Sequence, residues 1–205
     1  LVLAMEGKQN IILFNDGNGR LAEDPSRTLP IIKDYGDHPF LTGEDSEDVL
    51  ITDMDGDGDL DLLFVSEETT YHEMLLNDGK GNFTISSHQF PSSIANAVAI
   101  LDVNKDKRPD VLIGNKGQNQ LYIQQKSGAF EKAEIGKLFP ANTDWTQDLK
   151  LGDLDGDGDL DILEGIERGG CNLYLNQRGK FKLANDRLTR LPHHETRKVV
   201  LFDVD

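Results

Sequence analysis

Leu, Ile, Val and aromatic residues recur along the chain in short runs at every second position, each run closed by Gly, Asn or Asp. That period of two predicts half-buried β-strands, and nothing resembles a long helix. Four runs end in a turn signal: I-L-F-N-D-G-N-G-R-L at 12–21, M-L-L-N-D-G-K-G-N-F at 74–83, L-Y-I-Q-Q-K-S-G-A-F at 121–130 and L-Y-L-N-Q-R-G-K-F at 173–181. An apolar run, then Asn-Asp-Gly or its equivalent, then an aromatic residue or Leu is what a tight antiparallel hairpin requires. Between successive hairpins lies an Asp-rich string whose first residue falls at Asp53, Asp102, Asp153 and Asp203, at spacings of 49, 51 and 50 residues. The chain is therefore a repeat array.

One repeat predicts four antiparallel strands. In 47–94 these are 49–52, 60–66, about 71–76 and 82–87, with the Asp loop between the first two. The next repeat, 95–145, predicts strands at 95–101, 111–114, 119–124 and 129–133, and 146–196 predicts them at 147–151, 160–165, 171–175 and 180–183. A four-stranded unit of about 50 residues points to an all-β fold, a β-propeller of four-stranded antiparallel blades, ahead of a stacked β-solenoid, whose periods are usually shorter. Residues 1–46 and 197–205 are partial units: 1–4 align with 62–65, and 198–205 align with a strand and the first two ligand positions of a loop. About four repeat lengths are present, and a larger ring, of which this is a piece, is expected. The first unit carries extra residues at 29–46, expected as a surface loop.

Composition narrows the choice of partner. The chain of 205 residues has 37 acidic and 21 basic residues and a formal charge of −16, which disfavours nucleic acid. The single cysteine, Cys171, rules out an intrachain disulfide. No apolar run approaches the roughly 18 residues of a membrane helix, so no membrane insertion is expected within this segment.

Much of the negative charge sits in the loops. D-M-D-G-D-G-D-L-D at 53–61 and D-L-D-G-D-G-D-L-D at 153–161 each set five carboxylates at alternate positions. Like charges about 4 Å apart repel by about 1 kcal/mol even in bulk water, so a bound cation is the natural remedy. Regular hard oxygen donors suit Ca2+, which takes about 6–8 of them, better than zinc. The expected ligands are the side chains of Asp53, Asp55, Asp57 and Asp61 with the carbonyl of Asp59, and likewise Asp153, Asp155, Asp157 and Asp161 with the carbonyl of Asp159. Gly56, Gly58, Gly156 and Gly158 let the backbone wrap, and Leu60 and Leu160 are expected to anchor the exit strands in the core. The string D-V-N-K-D-K-R-P-D at 102–110 keeps Asp102, Asn104, Asp106 and Asp110, with Arg108 at the carbonyl position, but puts Lys105 and Lys107 where the glycines stand. Weaker metal binding is expected there, the alternative being a metal-free turn held by hydrogen bonds. Asp203 and Asp205 begin a fourth, truncated loop. Residues 153–164 also satisfy an EF-hand string with Glu164 at position twelve, but Phe64 and Ile113 hold that place in the other loops and the flanks read as strands, so Glu164 is expected on an outer strand face.

Together the D-x-D-G-D-G-D-L-D loops, the N-D-G-x-G-x-F hairpins and the 50-residue period resemble the FG-GAP or VCBS repeats of integrin-α-type β-propellers, over essentially the full chain. The resemblance implies a calcium-stabilised propeller, extracellular or on the cell surface, that serves as a binding or adhesion module for a protein or carbohydrate ligand. It also leaves open the scaffold or substrate-binding domain of a larger secreted enzyme. Of the other candidates, His193, His194 and Glu195 are expected to be solvated and Cys171 packed. The sequon Asn82-Phe83-Thr84 is weakened by an apolar centre. Trp145 and Tyr71, with Tyr122 and Tyr174, are candidates to line a sugar site, the last two being more simply packing residues. No catalytic constellation stands out, and a non-enzymatic role is expected.

Overall fold

Every predicted strand of the three full repeats forms, and the sheets that result are all antiparallel. A computed structural model describes residues 1–30, 45–67, 71–188 and 194–202. Asp203, Asp205, His193 and most of the 29–46 insertion lie outside the described residues. The chain divides into two compact units, Leu1–Ile94 and Ala95–Asp205.

The first unit opens with two short hairpins, β1 (Val2–Leu3) on β2 (Ile11–Ile12) and β3 (Phe14–Asn15) on β4 (Leu21–Ala22). A full sheet follows in the order β5 (Ser46–Thr52), β6 (Asp61–Ser66), β7 (Tyr71–Asn77) and β8 (Phe83–Ile85), with β9 (Phe90–Pro91) also pairing β7. The second unit holds two four-stranded meanders. They are β10 (Ala95–Leu101), β11 (Asp110–Asn115), β12 (Gln120–Gln124) and β13 (Phe130–Lys132), then β14 (Thr146–Gly152), β15 (Asp161–Ile166), β16 (Gly170–Asn176) and β17 (Phe181–Leu183). Among the described residues there is no α-helix, only two 3-10 turns.

Sequence explains the gradation across each sheet. The second strands, D-L-L-F-V-S in β6 and D-V-L-I-G-N in β11, are buried at every position, as a nearly continuous apolar run implies. The outermost strands β8, β13 and β17 are three residues long and mostly exposed, which limits the unpaired edge. Each first strand carries a register shift at the same place, between Ser46 and Asp48, Ala95 and Ala97, and Thr146 and Asp148. A bulge repeated at one position bends each strand alike. In the second unit β10 lies against β14, and Leu112, Leu121, Leu149 and Ile162 form one core with Phe139, which stacks on Phe181 at 4.2 Å between centroids. Tyr122 and Tyr174 belong to the buried core, as expected for packing residues. Phe83 packs against the Leu62, Phe64 and Leu75 core of the first unit.

A histidine without a sequence signal is sealed in the first unit. His72 is 0% exposed; its Nδ1 accepts from the Ser66 backbone N–H at 3.3 Å, so Nε2–H donates to Ser93 Oγ at 2.8 Å. Burial holds its pKa down to about 4 from the usual 6.5. Between those values the unfolded chain binds a proton there that the folded chain refuses, so stability falls as pH drops through that window, by about 3 kcal/mol at most from this residue. Melting curves from pH 7 to 4 are expected to fall less steeply for His72→Asn than for the parent protein. Equal slopes would exclude His72 as a source of acid lability.

Candidate metal centre

The two full Asp loops fold alike because the carboxylates at positions one and five cap the loop backbone in both. In 53–61, Asp53 accepts from the N–H groups of Gly56 (2.7 Å) and Gly58 (3.0 Å), Asp55 from Asp57 (3.1 Å), and Asp57 from Asp59 (2.8 Å). Loop 153–161 repeats this with Asp153 on Gly156 (2.8 Å) and Gly158 (3.0 Å), and Asp157 on Asp159 (2.9 Å). Gly56 and Gly58 sit at φ of 85° and 94°, where a side chain would be strained.

The result is two acidic triads. Carboxylate oxygens of Asp53, Asp55 and Asp61 lie within 4.8 Å of one another, as do those of Asp153, Asp155 and Asp161. Each carboxylate retains lone pairs beyond its N–H bonds, so a hard cation fits both sites chemically. Asp57 and Asp157 stand outside the triads. Asp159 directs its side chain elsewhere, accepting from Lys105 Nζ and from the Arg178 N–H at 3.2 Å, so any contribution to an ion falls to its carbonyl. The Lys105 hydrogen bond, first among several causes, holds that carboxyl below the usual range.

Position nine does more than ligate. Asp61, Asp110 and Asp161 are each 0% exposed, and each accepts two backbone N–H groups. One comes from loop position two, namely Met54, Val103 or Leu154, at 2.8–2.9 Å, and the other from the end of the third strand, namely Asn77, Gln124 or Asn176, at 2.8–3.0 Å. This carboxylate therefore ties its loop to the hairpin strand. Asn77 and Asn176 return the tie by donating Nδ2 to the carbonyls of Leu60 and Leu160 at 3.1 and 3.0 Å, which accounts for the Asn that opens these two hairpin signals. Burial pushes the Asp61 and Asp110 carboxyls up, and the N–H bonds oppose it.

Two sequence expectations are corrected. Leu60 and Leu160 do not anchor the exit strands: they are 57% and 44% exposed, and the buried side chain beside them is the aspartate. Glu164 is not on an outer face. It is 0% exposed and accepts from Asn119 (2.8 Å), Thr146 Oγ1 (2.6 Å), Asn172 (2.8 Å), Tyr174 OH (3.2 Å) and Asn142 (3.1 Å), all neutral donors. The strand flanks that set the EF-hand aside on sequence are present, as β14 and β15. His194 and Glu195 are exposed as expected, with Glu195 on Arg197 at 2.7 Å.

Loop 102–110 keeps the fold but changes the chemistry. Asn104 replaces one triad carboxylate, Arg108 pairs with Asp106 and donates Nε to the Gln124 carbonyl at 3.0 Å, and Lys105 reaches the next loop's Asp159. Lys105 and Lys107 adopt φ of 60° and 69°, the conformation their glycine counterparts take without strain. Of the loop's own cations, Arg108 pairs within it, on Asp106, and with Asn104 at the third position no triad of carboxylates forms there among the described residues, in line with the weaker binding expected.

The family model for FG-GAP-like repeats matches residues 53–113 and 102–164, which spans both full loops and the variant one. Among curated proteins, none matches the chain.

Proposed function

The chain belongs to the FG-GAP-like repeat family, and from that premise we propose that it is a calcium-stabilised β-propeller segment acting outside the cell as a non-enzymatic binding module for protein or carbohydrate. The observation that carries the reading is the pair of triads, the same three loop positions converging in two separate repeats. Three carboxylates that close repel one another by several kcal/mol at the effective dielectric of a protein surface, and a divalent ion removes that cost. Calcium outside cells is abundant enough to fill even sites of about 10⁻⁴–10⁻³ M. Each meander would then serve as one blade, with the Asp loops at 53–61 and 153–161 each clipped by an ion at one end. The ligand would be met by the connections at the other.

Isothermal titration calorimetry with calcium is expected to give two bound ions, at 53–61 and 153–161. A third ion would refute the self-neutralised reading of 102–110, and none would refute calcium stabilisation.

A further inference from the structure

At the end of β14 and β15 opposite the Asp loop lies a pocket of about 300 Å³, at the lower limit of the roughly 300–1,000 Å³ typical of small-molecule sites. It is lined by Lys116, Thr143, Asp144, Trp145, Glu167 and Arg168, all from the connections that enter and leave the strands. We propose that this pocket is a binding subsite for a neutral saccharide, an inference that rests on the binding-module reading above.

The wall is built in advance of any ligand. Trp145 Nε1 donates to Asn96 Oδ1 at 3.0 Å, its carbonyl accepts from Glu167 N–H at 2.9 Å, and its backbone bridges to Lys116. The neighbouring Asp144 is held by the Asn172 amide on Oδ2 (3.0 Å) and by Gly117 N–H on its carbonyl (2.7 Å). With its polar edge satisfied internally, the indole offers only its ring surface to an incoming group. One face of that ring is covered by the Lys116 ammonium, 4.3 Å from the centroid. Lys116 is exposed and makes no ion pair among the described residues, and an exposed cation–π contact is weak, so the ammonium is readily displaced.

Charge decides the ligand class. Two carboxylates, Asp144 and Glu167, face two cations, Lys116 and Arg168, so the pocket favours neither sign. Hydroxyl groups both donate and accept, and suit such a wall on both sides. The C–H face of a pyranose ring supplies the apolar surface that the indole requires. A uronate or sulfated sugar meets the field of a chain with formal charge −16, and a basic peptide side chain must displace Lys116 from the same ring while facing Arg168.

A glycan array of neutral and acidic sugars, run with the 205-residue chain in calcium, tests this. Neutral glycans are expected to bind, with a loss of tenfold or more in Trp145→Ala and severalfold in Glu167→Gln. Lys116→Ala should bind as well as the parent or a few-fold better. Melting temperatures control for folding, and Glu167→Gln, a near-isosteric change at a half-buried position, is read if Trp145→Ala is unstable. Neutral-glycan binding untouched by both substitutions overturns the proposal, as does selective binding of acidic glycans. If the chain captures a protein ligand regardless of Trp145 and no glycan, the saccharide inference falls while the module reading stands. If it binds neither class, both fall.

Discussion

Excess EDTA is expected to lower the melting temperature by about 10–20 °C, and added calcium to restore it. An ion that binds only the folded state stabilises it by about 2.7 kcal/mol at a hundredfold excess over Kd, so two sites contribute about 5 kcal/mol, and each kcal/mol moves the melting point of a chain this size by about 2–4 °C. The triads give the effect a sign that other calcium effects lack. Asp155 carries one of three carboxylates within 4.8 Å of one another and is exposed. Asp155→Asn removes a ligand in calcium and a repelling charge in EDTA. It is therefore expected to destabilise in the first buffer and stabilise slightly in the second. Melting curves superimposable with and without EDTA would overturn the calcium assignment.

Parts of this arrangement were legible because they carry local chemistry. Asn77-Asp78-Gly79 and Asp-Gly-Asp-Gly specify turns through residues that cap their own backbone, as Asn77 Oδ1 on the Gly79 and Gly81 N–H groups shows, so loops and hairpins can be placed without knowing the rest of the fold. What period-two patterning does not fix is which member of an alternating pair faces inward. In D-L-D at 59–61 the usual preference puts Leu60 inside, yet Asp61 is the buried residue, since two N–H groups from Met54 and Asn77 wait for it. Glu164 was illegible for a different reason. Its partners Asn119, Asn142, Thr146 and Asn172 spread over more than 50 residues of sequence, and only the packed sheets bring them together. His72 likewise meets Ser93 only because β9 pairs with β7.

That parity makes position nine a clip that works without metal, and loop 102–110 isolates it. Asp110 binds the Val103 and Gln124 N–H groups at 2.9 and 3.0 Å in a loop whose cations are its own. Hydrogen bonds to a charged group contribute about 1.5–3 kcal/mol each, and removing the acceptor leaves buried donors unpaired. Asp110→Ala is therefore expected to lose about 3–5 kcal/mol of stability in urea unfolding, equally in calcium and in EDTA. Asp110→Asn, which keeps one carbonyl acceptor, should lose about half as much. Asp161→Ala removes the same clip together with a triad ligand, so its loss is expected to be larger in calcium than in EDTA. If Asp110→Ala were harmless in EDTA, the buried carboxylate would be a ligand and nothing more. If its cost appeared only in calcium, loop 102–110 would bind the metal after all. Unequal behaviour of Asp110 and Asp161 across the two buffers is what separates the hydrogen-bonded clip, common to all three loops, from the ion proposed for the two that form a carboxylate triad.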